Sequence, residues 1–420
     1  MPARRVLGVR GFRLLLAGEA VNATGSSVAV IAIWGLAAFK FDAGPGDIAL
    51  LFVVLSVPGA LFGPLLGVPI DRLGPKRTLV IANLLGVLAA IALTQADSYR
   101  MIIVFALPLG LIEALAAASL DAIPPRLMDD DDLVTANAFL GGAQDLAIII
   151  GPVAAAVLNS RWGLTGAFLF DAATFLVGAL VAMRLFVPPM ADLSERESPV
   201  REVRAGFGLV RRTEGLRWTL CVVGSVYLLW ALFGLLEPLY VRDVLGESDT
   251  VFALLQTAYG VGLVTAGLGL AALGDRIARP RFVALAIVMS GATAVLYVST
   301  HSLVVAFIGV FLWGVAVAFF YVPAKTLLQR FAPTAYHGRV LSLNQSLEPL
   351  AGIIVTPLGA LALGFVGVQL LGVIGGVVAA LGGLVALRLG WRLAVPAPGP
   401  VDPTAGTSRD AIALGGSAPG

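Results

Sequence analysis

The chain has 420 residues, of which 58% are hydrophobic and 13% charged, and a formal net charge of +2. A soluble domain is roughly half apolar and about a quarter charged, so this composition and a mean hydropathy of +0.93 argue against any water-soluble class. The single cysteine, Cys221, rules out a disulfide framework, and its apolar surroundings predict a buried thiol.

The N-terminal stretch MPARRVLGVRGFRLLLAGEAVNATGSS sets basic residues before an apolar run, as a signal peptide does. No small-residue cleavage pattern follows and the apolar run continues to about Phe39, so it reads as a first membrane span. A span needs about twenty mostly apolar residues. Moved along the chain, that ruler predicts spans at 14–39, 47–69, 78–96, 101–122, 136–158 and 164–186. After a polar stretch it predicts six more, at 218–241, 251–273, 282–300, 303–324, 341–366 and 368–390. The fold expected is an all-α membrane protein of twelve transmembrane helices.

Basic residues collect on the cytoplasmic side of membrane proteins. With a cytoplasmic N-terminus, 24 of the 28 Lys and Arg fall on that side, and only Lys40, Arg100, Arg161 and Arg242 fall outside. Both termini are therefore predicted to be cytoplasmic, in a bacterial inner membrane. Segment 187–217 divides residues 1–186 from 218–392, and Val203, Phe207 and Val210 at helical spacing among its arginines predict a short interfacial helix. From 393 to 420 the Pro-, Gly-, Ser- and Ala-rich sequence reads as a disordered cytoplasmic tail.

Two interspan segments show an internal repeat. GVPIDRLGPKRTL (67–79) follows the second span, and AALGDRIARPR (271–281) follows the eighth. Asp71-Arg72 and Asp275-Arg276 lie 204 residues apart, and Arg126 and Arg330 share that offset. Two pseudo-symmetric six-helix halves follow, an architecture that places a substrate site between them near the midplane. Gly67, Asp71, Arg72, Gly74, Lys76, Arg77 and Leu79 resemble the signature loop of the major facilitator superfamily, with Pro at 75 where that family has a basic residue. The stretches LVTANAFLGGAQDLAIIIGPVAAAV and AFLFDAATFLVGAL resemble the branch containing enterobactin exporters and macrolide efflux proteins. That branch has an Asp after the Gly of its first helix, where this chain has Gly25-Ser26.

In the loop, Gly67 allows close helix approach, and Asp71 can accept hydrogen bonds from a facing helix N-terminus. Arg72, Lys76 and Arg77 can pair with carboxylates such as Asp121, making a cytoplasmic latch. Topology retention by positive charge is the alternative. Gly151-Pro152, among Ala138, Ala147, Ala155 and Ala156, resembles the exporter-type helix-five motif and predicts tight packing between the halves with a bend at Pro152.

Ionisable residues inside the membrane are costly and are functional candidates by default. Here they are Glu19, Glu113, Asp145, Asp171, Glu237 and Glu348. Glu237 is expected to reach water, and Asp171 to serve as a structural hydrogen-bonding group. Glu19 and Glu113 lie on helices that line the central cavity in the resembled superfamily. They are candidates for exchanging a proton against a cationic or neutral substrate, as are Asp145 and Glu348, with Gln144, Asn344 and Gln345 as neutral partners. Asn22, Tyr227, Trp230 and Trp313 are substrate-cavity candidates, while Trp34, Trp162 and Trp391 are expected to anchor the membrane interface. The sequence carries no metal cluster, P-loop or catalytic triad spacing. No enzyme activity, cofactor, metal or nucleic-acid partner is expected. The leading reading is a monomeric, proton-coupled exporter of small amphipathic molecules such as a drug, macrolide or siderophore, in the lipid bilayer. A nutrient or metabolite importer on the same fold is the alternative.

Overall fold

The computed structural model describes residues 2–188, 199–273, 277–333 and 336–395. Every regular element among them is helical. In chain order they are α1 (Pro2–Gly8), α2 (Arg10–Gly35), α3 (Pro45–Leu73), α4 (Pro75–Thr94), α5 (Tyr99–Asp121), α6 (Pro124–Leu127) and α7 (Asp130–Arg184). Then come α8 (Pro199–Arg212), α9 (Glu214–Leu239), α10 (Asp249–Leu273), α11 (Pro280–Val298), α12 (Leu303–Phe331), α13 (His337–Leu363) and α14 (Val368–Gly390). Proline at the first turn starts α3, α4 and α11, where its missing N–H is no loss.

Ten helices among the described residues are long and apolar enough to cross a membrane, against twelve predicted spans. Two features account for the difference. Of α3, only Pro45–Val57 registers, as a shorter apolar helix. The fifth and sixth predicted spans run together in α7, a 55-residue element with non-helical backbone at Gly163 (φ 63, ψ −172). A straight helix of that length would reach about 80 Å, far beyond the roughly 30 Å of a bilayer core. The two arms of α7 instead run in opposite directions along α2. On the first arm Gln144 meets Glu19 and Gly151 meets Ser27; on the second, Thr174 meets Gly25 and Val181 meets Gly18. Glycine at 163 supplies the positive φ that this reversal needs.

The 204-residue offset recurs in backbone detail. Both α2 and α9 end in a π turn, Leu36–Lys40 and Tyr240–Val244. Each turn is followed by a residue of positive φ, Asp42 at 50° and Gly246 at 69°. Ala43 N donates to Ala37 O at 2.9 Å, and Glu247 N to Val241 O at 3.0 Å. Gly110 of α5 is pressed on the Leu55 carbonyl of α3, and Gly314 of α12 on the Tyr259 carbonyl of α10. Each pair keeps the spacing first seen between Asp71 and Asp275, although Asp275 and Arg276 themselves lie outside the described residues.

Contacts between the first six-helix region and the second gather toward the start of α3 and α10. Phe52 of α3 fits against Gly352 of α13, Phe39 packs on Phe252 with centroids 6.1 Å apart, and Asn159 Nδ2 donates to Thr250 Oγ1 at 3.3 Å. Trp34 joins this region, 6.0 Å from the Phe52 ring. Trp162 and Trp391 are exposed.

Three further findings depart from the sequence expectations or go beyond them. Cys221 is exposed on α9, because one side of that helix faces away from the bundle. At the N-terminus, α1 buries Val6 against Phe12, Ala136 and Leu140, and Arg5 pairs with Asp132 at 3.3 Å. In the linker, strongly amphipathic α8 docks through Val210 on Leu216, Leu328, Ala332 and Val340, leaving Phe207 exposed. The tail from 396 onward lies outside the described residues.

Candidate functional site

A cavity of about 290 Å³ opens inside the first half, between α2, α4, α5 and the two arms of α7. It brings together Glu19, Asn22 and Ser26 of α2, Asn83 of α4, Glu113 of α5 and Gln144 of α7. Helical spacing explains the α2 face, since 15, 19, 22 and 26 lie three or four residues apart and share one side. Leu15, Leu79, Ile148 and Phe175 make the apolar wall.

The polar lining is rich in acceptors. Gln144 Nε2 donates to Glu19 Oε1 at 2.9 Å, so the neutral partner foreseen for the fifth helix serves Glu19. Ser26 faces the Glu113 carboxylate. Asn83 spends its Nδ2 on Leu79 O at 2.8 Å. Among the described residues no group donates to the buried Oδ1 of Asn22 or of Asn83. Among the described residues no Lys or Arg lines the cavity. Such a surface suits a ligand that brings its own donors, above all a protonated amine, because buried acceptors left unmatched are costly.

Asp171 sits behind this wall, 1% exposed, with Oδ1 against Gly25 and near enough to Glu113 to feel its charge. The structural hydrogen bond expected of it is not made at Oδ1 among the described residues. Asp145 lies on α7 next to Gln144, its side chain outside what the structure describes.

The other candidates stand in the second half. Ala23, Ser26, Ala117 and Gln144 line the cavity; 204 residues on, their equivalents are Tyr227, Trp230, Tyr321 and Glu348. Tyr227 and Trp230 meet edge to face at 5.4 Å, and Trp230 stacks on Tyr321 at 6.5 Å. Small residues thus leave space in one half where aromatic rings occupy it in the other. This asymmetry was readable from the offset alone. Trp313 does not line the cavity: it is 4% exposed, donates Nε1 to Ser290 Oγ at 2.9 Å, and packs 4.6 Å from Phe233. Glu237 does not reach water either. It is buried beside Tyr297 and accepts from Gln256 Nε2 at 3.0 Å.

In the loop, Asp71 and Arg72 end α3, Gly74 turns the chain at φ 80, and Lys76 and Arg77 open α4. Asp71, Arg72 and Arg77 are exposed, and among the described residues none of the loop charges pairs with Asp121 or any other acid. Gly151 makes its close approach to Ser27 of α2, within its own half, where a side chain would collide with Ser27; α7 also packs across the halves on α10, with Ala155 and Asn159 beside Ala253. Pro152, next to it, is buried inside α7.

The sequence profile of the Major Facilitator Superfamily matches residues 15–248 and 219–413. The chain belongs to the major facilitator superfamily. It is a multi-pass membrane transporter, not an enzyme. Its relatives include Macrolide efflux protein A of Streptococcus pyogenes, 25% identical over 367 residues that cover 83% of this chain and 89% of that protein. They also include Lysophospholipid transporter LplT of Citrobacter koseri, 25% identical over 378 residues, 85% and 92% of the two chains. Among solved structures, the POT family transporter PepTSo superposes with a TM-score of 0.66 at 12% identity, covering 91% of this chain and 97% of its own. A bacterial homologue of the human lysosomal transporter Spinster, inward-facing and unoccupied, gives 0.64 at 14%, covering 91% and 95%. These likenesses show the fold. The macrolide-efflux resemblance read from the sequence holds in the relatives.

Proposed function

We propose that this transporter is a proton-coupled exporter of small amphipathic molecules that carry a basic amine, working by alternating access. Counting the two arms of α7 separately and including all of α3 gives twelve spans. They form halves 1–186 and 218–392 joined by the linker, with both termini in the cytoplasm and the chain acting as a monomer in the inner membrane. The observation that carries the reading is the half-buried cavity that holds Glu19 and Glu113 with no Lys or Arg among the described residues of its lining. Negative charge there has to be balanced by something that enters, and a proton and a protonated amine are interchangeable in that role. Kinship to a macrolide efflux protein supports the outward direction.

The test is accumulation of a radiolabelled macrolide, and of a lipophilic amine dye, in cells with and without the protein. Both are expected to accumulate less when it is present, and a protonophore is expected to abolish the difference. Efflux that survives the protonophore removes proton coupling; increased accumulation replaces export with import.

The unpaired loop charges fit a latch that is released in this conformation. Asp71→Asn, correctly inserted, is then expected to transport about tenfold more slowly, the ratio that 1.4 kcal/mol sets between two states. Transport at the wild-type rate would leave the loop a role in topology alone.

A further inference from the structure

At the end of the bundle where α2 gives way to α3, one arginine of the second half grips the first. Arg242 lies in the π turn that closes α9. Its equivalent in the first half is Ala38, 204 residues earlier, and the two equivalent positions touch: Arg242 Nη1 donates to Ala38 O at 2.8 Å. The same nitrogen reaches Ala43 O at 2.9 Å and Asp42 Oδ1 at 3.0 Å. Asp243 holds the other edge of the guanidinium, accepting from Nε at 2.6 Å and from Nη2 at 3.0 Å.

Contact between equivalent residues marks where the pseudo-two-fold axis passes, so this point sits at the seam of the halves. The carbonyl end of a helix lacks intrahelical donors and is the negative end of its macrodipole. Arg242 supplies from the opposite half the cap that the end of α2 needs. The first half has alanine at the matching position, so the grip is one-sided and rests on a single side chain. Its strength comes from charge-assisted bonds. Its reversibility comes from Asp42, 90% exposed and ready to be taken by water.

We propose that Arg242 is the clasp of the outer gate: its bonds to Ala38, Ala43 and Asp42 hold the outer ends of the halves together and break each time the protein opens outward. Asp243, in the same half, keeps the guanidinium in place while the gate is open. The proposal rests on alternating access with cytoplasmic termini, as argued above.

Just inside the clasp, Ala253 of α10 lines a narrow cleft with Ile31, Gly35 and Asn159. The experiment places a cysteine there, Ala253→Cys with Cys221→Ser, and times its reaction with a membrane-impermeant maleimide added outside intact cells. Ser160→Cys, at an exposed position near the end of the first arm of α7, gives the rate for an open site. With Arg242 present, labelling at 253 is expected to be slow. With Arg242→Gln it is expected to rise at least about tenfold, the ratio equivalent to 1.4 kcal/mol, with Arg242→Lys in between. If Arg242→Gln does not accumulate, Arg242→Lys and Asp42→Asn decide by the same rise. An unchanged rate in the folded variants overturns the clasp, as does a parent rate equal to that at position 160 or a rise seen only from the inner face. The assay needs neither substrate nor gradient, so a failed clasp and a failed export reading are separable.

Discussion

Glu113→Gln is expected to stop proton-driven transport while leaving the protein folded and inserted. Glutamine keeps the shape and an acceptor for Ser26, so the local packing between α5 and α2 survives. It removes the one thing a neutral amide cannot do, which is to take up and release a proton. The loss expected in substrate-dependent proton flux is roughly a hundredfold, the lower end of what a positioned proton-transfer group contributes. Glu19→Gln is expected to behave differently. Glu19 accepts from Gln144 and an amide at 19 still can, so proton flux persists while affinity for a cationic substrate falls. Glu237→Gln serves as the control, since its carboxylate is buried in the other half and already bonded to Gln256. Proteoliposomes loaded with a pH-sensitive dye separate these outcomes. Full proton flux in Glu113→Gln removes that residue from coupling, and full flux in the glutamine variants of Glu19, Glu113 and Asp145 alike removes the proposed proton site.

The sequence made the bundle and its duplication legible because both leave marks that survive without contacts. Apolar runs of span length follow from the thickness of a bilayer, and a duplicated loop stays recognisable when the helices around it have drifted. The offset between Asp71 and Asp275 reappears in the paired π turns, in Asp42 and Gly246, and in the paired glycines. What the sequence hid is which way each side chain points. Helices in lipid are apolar all round, so the polar face that orients a soluble helix is missing. Trp313 and Trp230 looked alike as mid-helix tryptophans, yet one is bonded into a core through Ser290 and the other stacks on Tyr321. Glu237 near a helix end looked wet and proved buried. Glu19 and Glu113 were legible because ionisable groups are rare inside membrane spans and the resembled family places their helices at the central cavity. Arg242 was placed on the outside by charge counting, but two of its three acceptors across the seam are backbone carbonyls, which no residue pattern reveals.

Gly110→Ala and Gly314→Ala are each expected to destabilise the protein although alanine is the better helix former. A Cβ at Gly314 would stand 2.9 Å from the carbonyl carbon of Tyr259 and 3.1 Å from the amide nitrogen of Leu263. At Gly110 it would stand 3.1 Å from the carbonyl carbon of Leu55. The obstacles are backbone, which cannot turn aside as a flexible side chain does, so α3 and α5, or α10 and α12, must move apart along their crossing. Overpacking of this kind costs roughly 1–3 kcal/mol, more than the approximately 1 kcal/mol that alanine gains over glycine inside a helix. Gly142→Ala and Gly269→Ala, where nothing among the described residues lies within 4 Å, are expected to be neutral or stabilising. Thermal unfolding of purified protein in detergent, followed by tryptophan fluorescence, is expected to show midpoints lowered by several degrees at 110 and 314 only. The two losses are expected to add in the double variant, because distant sites with no shared partners act independently. Midpoints at or above wild type in both single variants would mean that the crossings can widen freely. The identical 204-residue spacing of the two glycines would then need a cause other than close packing.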